Sequence, residues 1–162
     1  MKNIINNSKK YILFLLMPVL ILLDQIIKFL AENILSRYDT VAIVSSVFHL
    51  TYVKNYGAAF GILQNKKIFL IIITSIILVG TIVFLIFNKI NNSVFLWSLS
   101  LIISGGVGNL IDRIIKGYVV DYIDFRLINF AVFNLADSFV CIGVFLFFIY
   151  MIFIEPKQNY DE

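Results

Sequence analysis

Asp121 and Asp124, in GYVVDYIDF, and Asp137, in FNLADSF, are carboxylates set among residues that offer acids little welcome. Asp137 opens the run SFVCIGVFLFFIYMIFI, which holds no charge until Glu155, and Asp121 and Asp124 sit between valines, tyrosines, an isoleucine and a phenylalanine. A carboxylate pressed into apolar surroundings prefers to be neutral, and two held together share one proton because both cannot easily ionise side by side. Such a pair can activate water with one member while the protonated partner donates to a carbonyl or a leaving amine. Each acid also has a plainer explanation. Asn134 and Asp137 have the spacing of a helix N-cap and its reciprocal acid, which suits the helix dipole. Acids in an ordinary exposed loop are solvated decoration. Spacing alone leaves either Asp121 or Asp124 as the partner of Asp137.

Other polar residues are few. Asp24 and Lys28 lie four apart, a compatible ion pair on one helix face. Asn109 needs hydrogen-bond partners from a neighbouring helix or a bound backbone. Asp112 and Arg113 close an apolar segment and are expected to pair or to reach the interface. Gly105, Gly106 and Gly108 fit close helix approach. Cys141, the single cysteine, is expected to be a small buried hydrophobe. His49 is the single histidine, so no HExxH zinc site can form, and GxSxG and GxGD patterns are absent from the sequence.

These residues must be placed by membrane-spanning elements. The chain has 162 residues, 60% of them hydrophobic and 14% charged, with a mean hydropathy of +0.95, far from the balance of soluble domains. Segments of about 20 apolar residues fall at 11–30, 68–87, 94–111 and 134–154, which predicts one integral membrane domain over 1–162. The first segment follows Lys9-Lys10 but runs into DQIIK rather than a small-residue cleavage site, so a retained helix is expected. Four spans place connections 31–67 and 112–133 on one side, opposite the termini and the turn NKINNS. Asp24, Asp121 and Asp137 therefore collect at one face. Connection 31–67 is too long for a simple turn, and its β-rich stretch 40–53 predicts a small interfacial sheet of two or more strands, followed by a turn at Asn55–Ala59. The basic flank of the first helix orients the termini to the cytoplasm. The net charge of +3 comes without a basic stripe, which gives no footing for nucleic acid.

With these motifs assembled, the chain resembles the bacterial lipoprotein signal peptidases, signal peptidase II. The resemblance rests on Asp24-Gln25-x-x-Lys28, Asn55-x-Gly57-Ala58-Ala59-Phe60, Gly105-Gly106-x-Gly108-Asn109-x-x-Asp112-Arg113, Val119-Val120-Asp121-Tyr122-Ile123 and Phe133-Asn134-x-Ala136-Asp137-Ser138, in that order along nearly the whole chain. It implies an all-α membrane protein: a four-helix bundle with a small sheet and loops on the extracytoplasmic side of the bacterial cytoplasmic membrane. It implies an aspartic endopeptidase that cleaves prolipoproteins just before a diacylglyceryl-modified cysteine, without metal or cofactor. Asp121 and Asp137 match the catalytic pair. Asn55, Gly57, Asn109, Arg113 and Asn134 match positions supporting the substrate or the site, and Asp24, Lys28 and Asp112 match structural ones. Partners would be lipid-modified prolipoproteins and membrane lipids, with one copy of the chain as the expected unit. Tyr122 stands where Phe is common, and the segment from Asp121 to Asp137 is compact, which bears on loop shape. Two rival classes make different demands. An ion- or proton-coupled transporter needs acids along the depth of the bundle, and a non-catalytic assembly factor tolerates Asp121→Asn and Asp137→Asn.

Overall fold

The computed structural model describes residues 2–58, 61–87, 90 and 92–155, with side chains at residue 12 and from residue 14 onward. Four helices account for most of it: α1 (Lys2–Leu35), α2 (Lys67–Phe87), α3 (Ser93–Ile115) and α4 (Leu135–Ile149), the last continuing into a π-helical turn at Tyr150–Ile154. Phe14–Leu35, Lys67–Phe87, Ser93–Ile115 and Leu135–Ile154 are each long and apolar enough to cross a bilayer. Helix α1 runs past the expected end at 30, and α3 carries Asp112 and Arg113 inside the helix. The physical reason is that these charges turn inward and find partners, so they do not stop the helix. Of the motif residues named above, Ala59 and Phe60 lie outside the described residues. So do the side chains of Lys9 and Lys10, the basic flank on which the expected orientation of the first helix rests.

Helix α3 is the centre of the bundle, with 56% of its span buried against 22%, 17% and 11% for α1, α2 and α4. Small residues make this possible. Ser98, Ser100 and Ser104 are buried and return their hydroxyls to carbonyls of their own helix, at Phe95, Leu96 and Ser100. A methyl added at Gly105 would collide with the Ala136 carbonyl, and one at Gly143 would lie 2.7 Å from the Ser98 carbonyl. Helices α3 and α4 thus meet backbone to backbone, the usual route to close packing in lipid, where apolar side chains gain little from leaving it. Met17, Leu85, Phe95, Leu96, Leu99, Ile103 and Tyr150 fill the end of the bundle nearer the termini.

The other end carries the sheet. Strands β1 (Thr40–Val44) and β2 (Phe48–Asn55) come from the first connection, as the β-rich stretch predicts. The third strand, β3 (Val119–Phe125), is a correction to the sequence analysis, which took GYVVDYIDF for a surface connection. Its β-branched and aromatic residues are strand formers, and it pairs antiparallel with β2 to give the order β1-β2-β3. Val120 and Tyr122 pack on Ala31 and Leu35 of α1, which seats the sheet on the bundle. The amides of Tyr122 and Ile123 both donate to the Phe133 carbonyl, at 3.0 and 2.8 Å. That contact draws the chain after the 3₁₀ turn (Arg126–Ile128) back alongside β3, where Asn134 starts α4. Cys141 is a second correction: it is exposed on α4 rather than buried, because it borders an open cavity instead of a packed neighbour, and a thiol is apolar enough to lie there.

The close α3–α4 contact is testable by comparing two glycines. Gly105→Ala must push the start of α4 away and is expected to cost ~1–3 kcal/mol together with most activity. Gly80→Ala, with open space around it, should leave thermal stability in detergent unchanged or slightly higher. Equal melting temperatures for the two variants would refute this account of the packing.

Candidate active site

The site grows from the start of α4. Asn134 is fully buried and extended, and its side chain accepts from the Asp137 amide at 2.9 Å while Asp137 Oδ2 accepts from the Asn134 amide at 3.1 Å. This is the reciprocal cap anticipated from spacing. It does not compete with a chemical role, because it pins the carboxylate at the mouth of the helix. The other end of the Asn134 amide reaches β3, where Nδ2 donates to Asp121 Oδ1 at 2.6 Å. One asparagine therefore ties both acids together.

Asp121 is 1% exposed. Its second oxygen accepts from Asn55 Nδ2 at 2.9 Å, and the Asn55 carbonyl oxygen accepts from the Gly57 amide at 2.9 Å. Burial pushes the Asp121 carboxyl up to about 7, the nearby Asp137 charge adds to the rise, and the hydrogen bonds from Asn55 and Asn134 restrain it. Asp124, three residues on, has moved in the opposite direction. Burial opposes its ionisation, but Thr51 Oγ1 at 2.6 Å and Arg126 Nε at 2.9 Å together outweigh that and hold it below the usual carboxylate range. Asp124 is a committed anion in its own cluster with Thr51 and Arg126.

Asn109 faces Asp137 from α3, donating from Nδ2 to Oδ1 at 2.7 Å. Arg113, one turn further along, reaches the Gly57 carbonyl at 3.0 Å. A methyl on Gly57 would press against the Ile62 carbonyl at 2.6 Å, so only glycine lets the chain turn this tightly here. Asp121, Asp137, Asn55, Asn109 and Arg113 line one end of a cavity of about 900 Å³. Its other end runs between apolar side chains of α2, α3 and α4, including Leu78, Ile102 and Cys141. The cavity is thus polar at the sheet and apolar towards the bilayer.

Beneath the acids lies a buried ionic cluster. Lys28 is fully buried, and its ammonium meets Asp24 Oδ2 at 3.0 Å, Asp112 Oδ2 at 3.1 Å and Asn109 Oδ1 at 2.8 Å. Three donors find three acceptors. Asp24 also accepts from the Ala136 amide at 3.0 Å, in the first turn of α4, and its carboxylate fits against α3 because Gly108 leaves the room. The pairing of Asp24 with Lys28 follows from their spacing. The inclusion of Asp112 and Asn109 does not.

Glu32 escaped the sequence analysis, and so did the contacts of Gln25 and Tyr122, which were named there only as motif residues. Glu32 accepts from Tyr52, Tyr118 and Lys116 at 2.9, 2.8 and 2.7 Å, locking α1 to the sheet. Its signal was present: Asp24, Lys28 and Glu32 recur every four residues, one continuous polar stripe that a span ending at 30 cut short. Gln25 bridges Asp24 to the Gly108 carbonyl. The Tyr122 hydroxyl accepts from the Leu135 amide at 3.2 Å, a bond that the more common Phe could not make.

A family model described as Signal peptidase (SPase) II matches residues 16–153. The lipoprotein signal peptidase of Clostridioides difficile is 46% identical over 148 residues, 91% of this chain and 99% of that protein. That of Caldanaerobacter subterraneus subsp. tengcongensis is 46% identical over 136 residues, 82% of this chain and 90% of that protein. Among solved structures, a bacterial membrane enzyme determined by the in meso method at 1.9 Å resolution aligns with a TM-score of 0.78 at 34% identity, covering 88% of this chain and 93% of that one.

The ionic cluster predicts an order of damage. Lys28→Met leaves Asp24 and Asp112 facing each other with no cation between them, only Lys116 remaining at 3.7 Å on the far side of Asp112, and should cost ~3–5 kcal/mol. Asp112→Asn leaves Lys28 paired with Asp24 and should cost clearly less. Thermal unfolding in detergent ranks the two, and the reverse order would refute the assigned pairing.

Proposed function

The chain belongs to the signal peptidase II family, and from that premise we propose that Asp121 and Asp137 are the catalytic pair of an aspartic peptidase. The protein is a multi-pass membrane peptidase that removes signal peptides from lipoprotein precursors. The observation that carries the proposed mechanism is the Asn134 bridge between two carboxyls, one of which is buried enough to hold a proton near neutral pH.

In this mechanism the pair carries one proton and is treated as a coupled unit. The ionised member takes a proton from water, the water oxygen attacks the scissile carbonyl, and the protonated member donates to the developing oxyanion. A proton then passes to the leaving amine as the C–N bond breaks. Asn55, Asn109 and Asn134 hold the carboxyls in place. Arg113 and Gly57 shape the end of the cavity that takes the substrate backbone. Asp24, Lys28 and Asp112 hold α1, α3 and α4 in register beneath it. The cavity's apolar end suits the diacylglyceryl group of the substrate cysteine and the signal helix beside it, so that the bond before that cysteine reaches the pair. We further assign the termini to the cytoplasm, the sheet to the extracytoplasmic face of the cytoplasmic membrane, and a single chain, folded as one membrane domain, as the working unit.

The decisive experiment is cleavage of a diacylglyceryl-modified prolipoprotein by purified protein in detergent. Asp121→Asn and Asp137→Asn should each lose ~10²–10⁴-fold in turnover while staying folded, and Asp124→Asn should keep it. An active Asp121→Asn beside a dead Asp124→Asn would move the pair to Asp124.

A pH profile gives a second check. Asp121 holds its proton up to about 7, and the reaction needs one proton in the pair, so kcat/KM should fall as pH rises through that value. Asn55 donates to the ionised form and lowers the pKa, so Asn55→Leu should shift this falling limb to higher pH even as the rate drops. A limb that stays put or moves down contradicts the role given to Asn55.

A further inference from the structure

We infer that Lys28 is a positioning residue for the catalytic pair: it fixes which way the Asn109 amide faces and so keeps a hydrogen-bond donor on Asp137. This goes beyond holding helices together, and it rests on the assignment of Asp121 and Asp137 as the catalytic pair. The two ends of an asparagine amide have nearly the same shape but opposite hydrogen-bonding character. Packing alone cannot choose between them, and the partners must.

Asn109 Oδ1 accepts from Lys28 Nζ at 2.8 Å and from Asn134 Nδ2 at 3.2 Å, while its Nδ2 donates to Asp137 Oδ1 at 2.7 Å. Turned over, the amide would set N–H groups against the ammonium and the Asn134 amide, and its carbonyl against the Asp137 carboxylate. Lys28 enforces the productive orientation because it has donors and no acceptor. It cannot swing aside either, since Asp24 and Asp112 hold it at 3.0 and 3.1 Å and it is fully buried. Asn134 is constrained too, with its carbonyl on the Asp137 amide and its Nδ2 on Asp121. A single charge inside α1 thereby reaches the carboxylate at the start of α4 through one side chain of α3.

A double-mutant cycle on turnover tests this, using purified full-length protein, a diacylglyceryl-modified prolipoprotein peptide, and rates normalised to the folded fraction. Lys28→Met should lower kcat on the order of tenfold or more when Asn109 is present, and far less in the Asn109→Ala background. Effects that simply multiply would overturn the inference, since a general structural role does not pass through Asn109. The pH profile adds a second readout: because the Lys28 charge also pulls the Asp121 carboxyl down directly, the part that passes through Asn109 is the share of the Lys28→Met shift that disappears in the Asn109→Ala background. Losing the donor on the ionised pair should shift the acid limb of kcat/KM upward in both Lys28→Met and Asn109→Ala, whereas Asp112→Asn, which leaves Lys28 on Asn109, should keep the parent limb. An unmoved limb in Lys28→Met also overturns it. If Lys28→Met does not fold, the charge-compensated pair Lys28→Met with Asp112→Asn replaces it, with Asp112→Asn as reference. Asp121→Asn and Asp137→Asn are run alongside. Turnover surviving in either sinks the pair assignment itself, while dead aspartate variants with a multiplicative cycle overturn the positioning role alone.

Discussion

A fully buried ammonium inside a membrane protein has no water to fall back on, and the arrangement around Lys28 follows from that constraint. Leaving such a charge unpaired in the bilayer is expensive by any scale, so each of its protons must find an acceptor. The acceptors come from α1 itself and from α3. Asp24 then uses its other oxygen on the amide of Ala136 in α4. Three helices are fixed relative to one another by directional contacts, in an environment where apolar packing discriminates poorly between rotations and shifts of a helix. The glycines on α3 allow these contacts by letting the backbones approach. Gly105 makes room for the Ala136 carbonyl and Gly108 for the Asp24 carboxylate.

Charge balance links this cluster to the acids above it. Asp24, Asp112, Asp121 and Asp137 gather around Lys28, Arg113 and Lys116, and Lys116 stands 3.7 Å from Asp112. With Glu32, which holds Lys116 at 2.7 Å, five carboxylates meet three cations, so fully ionised the acids are in excess. A proton resting on the pair of Asp121 and Asp137 reduces that excess. The raised position of Asp121 is thus what the whole assembly favours as well as a consequence of local burial. The single shared proton that an aspartic mechanism requires also lowers the uncompensated charge of a low-dielectric site.

Much of the fold was legible because the bilayer demands long apolar helices, and four such runs stand out in the sequence. The acids were legible for the converse reason: a carboxylate such as Asp137 at the edge of a charge-free run is costly and needs a cause. Strand β3 was less legible, because in VVDYIDF the residues that make a strand also suit a segment lying on the membrane. Its partner β2 lies more than sixty residues away, and no local signal announces that pairing. The span limit placed at residue 30 hid Glu32, since the apolar run ends there while the helix continues on inward-facing polar groups. The contact of Lys28 with Asn109 could not be read at all. Spacing along α1 shows which residues share its face, but the rotation of α3 that brings Asn109 opposite is set by contacts between helices.

Asp121 and Asp124 show how strongly the choice of neighbour decides chemistry. They lie three residues apart in one strand, and both are buried, at 1% and 7% exposure. Burial raises both, yet the first ends near neutrality and the second below the ordinary carboxylate range. Asp121 is the more deeply desolvated and has the Asp137 charge beside it, and the rest of the difference lies in the donors. Asp124 faces a guanidinium, which brings a full positive charge and holds the acid ionised. Asp121 faces two amides, from Asn55 and Asn134, which orient the carboxyl without supplying net charge. An arginine at either asparagine position would grip Asp121 more tightly and at the same time strip it of its proton. Amide side chains solve a problem that cations cannot: they fix the direction of a carboxyl while leaving it free to carry a proton near neutral pH. That explains why asparagines, rather than lysines or arginines, make the direct contacts to both Asp121 and Asp137, and why the cations of the site stand one residue further back.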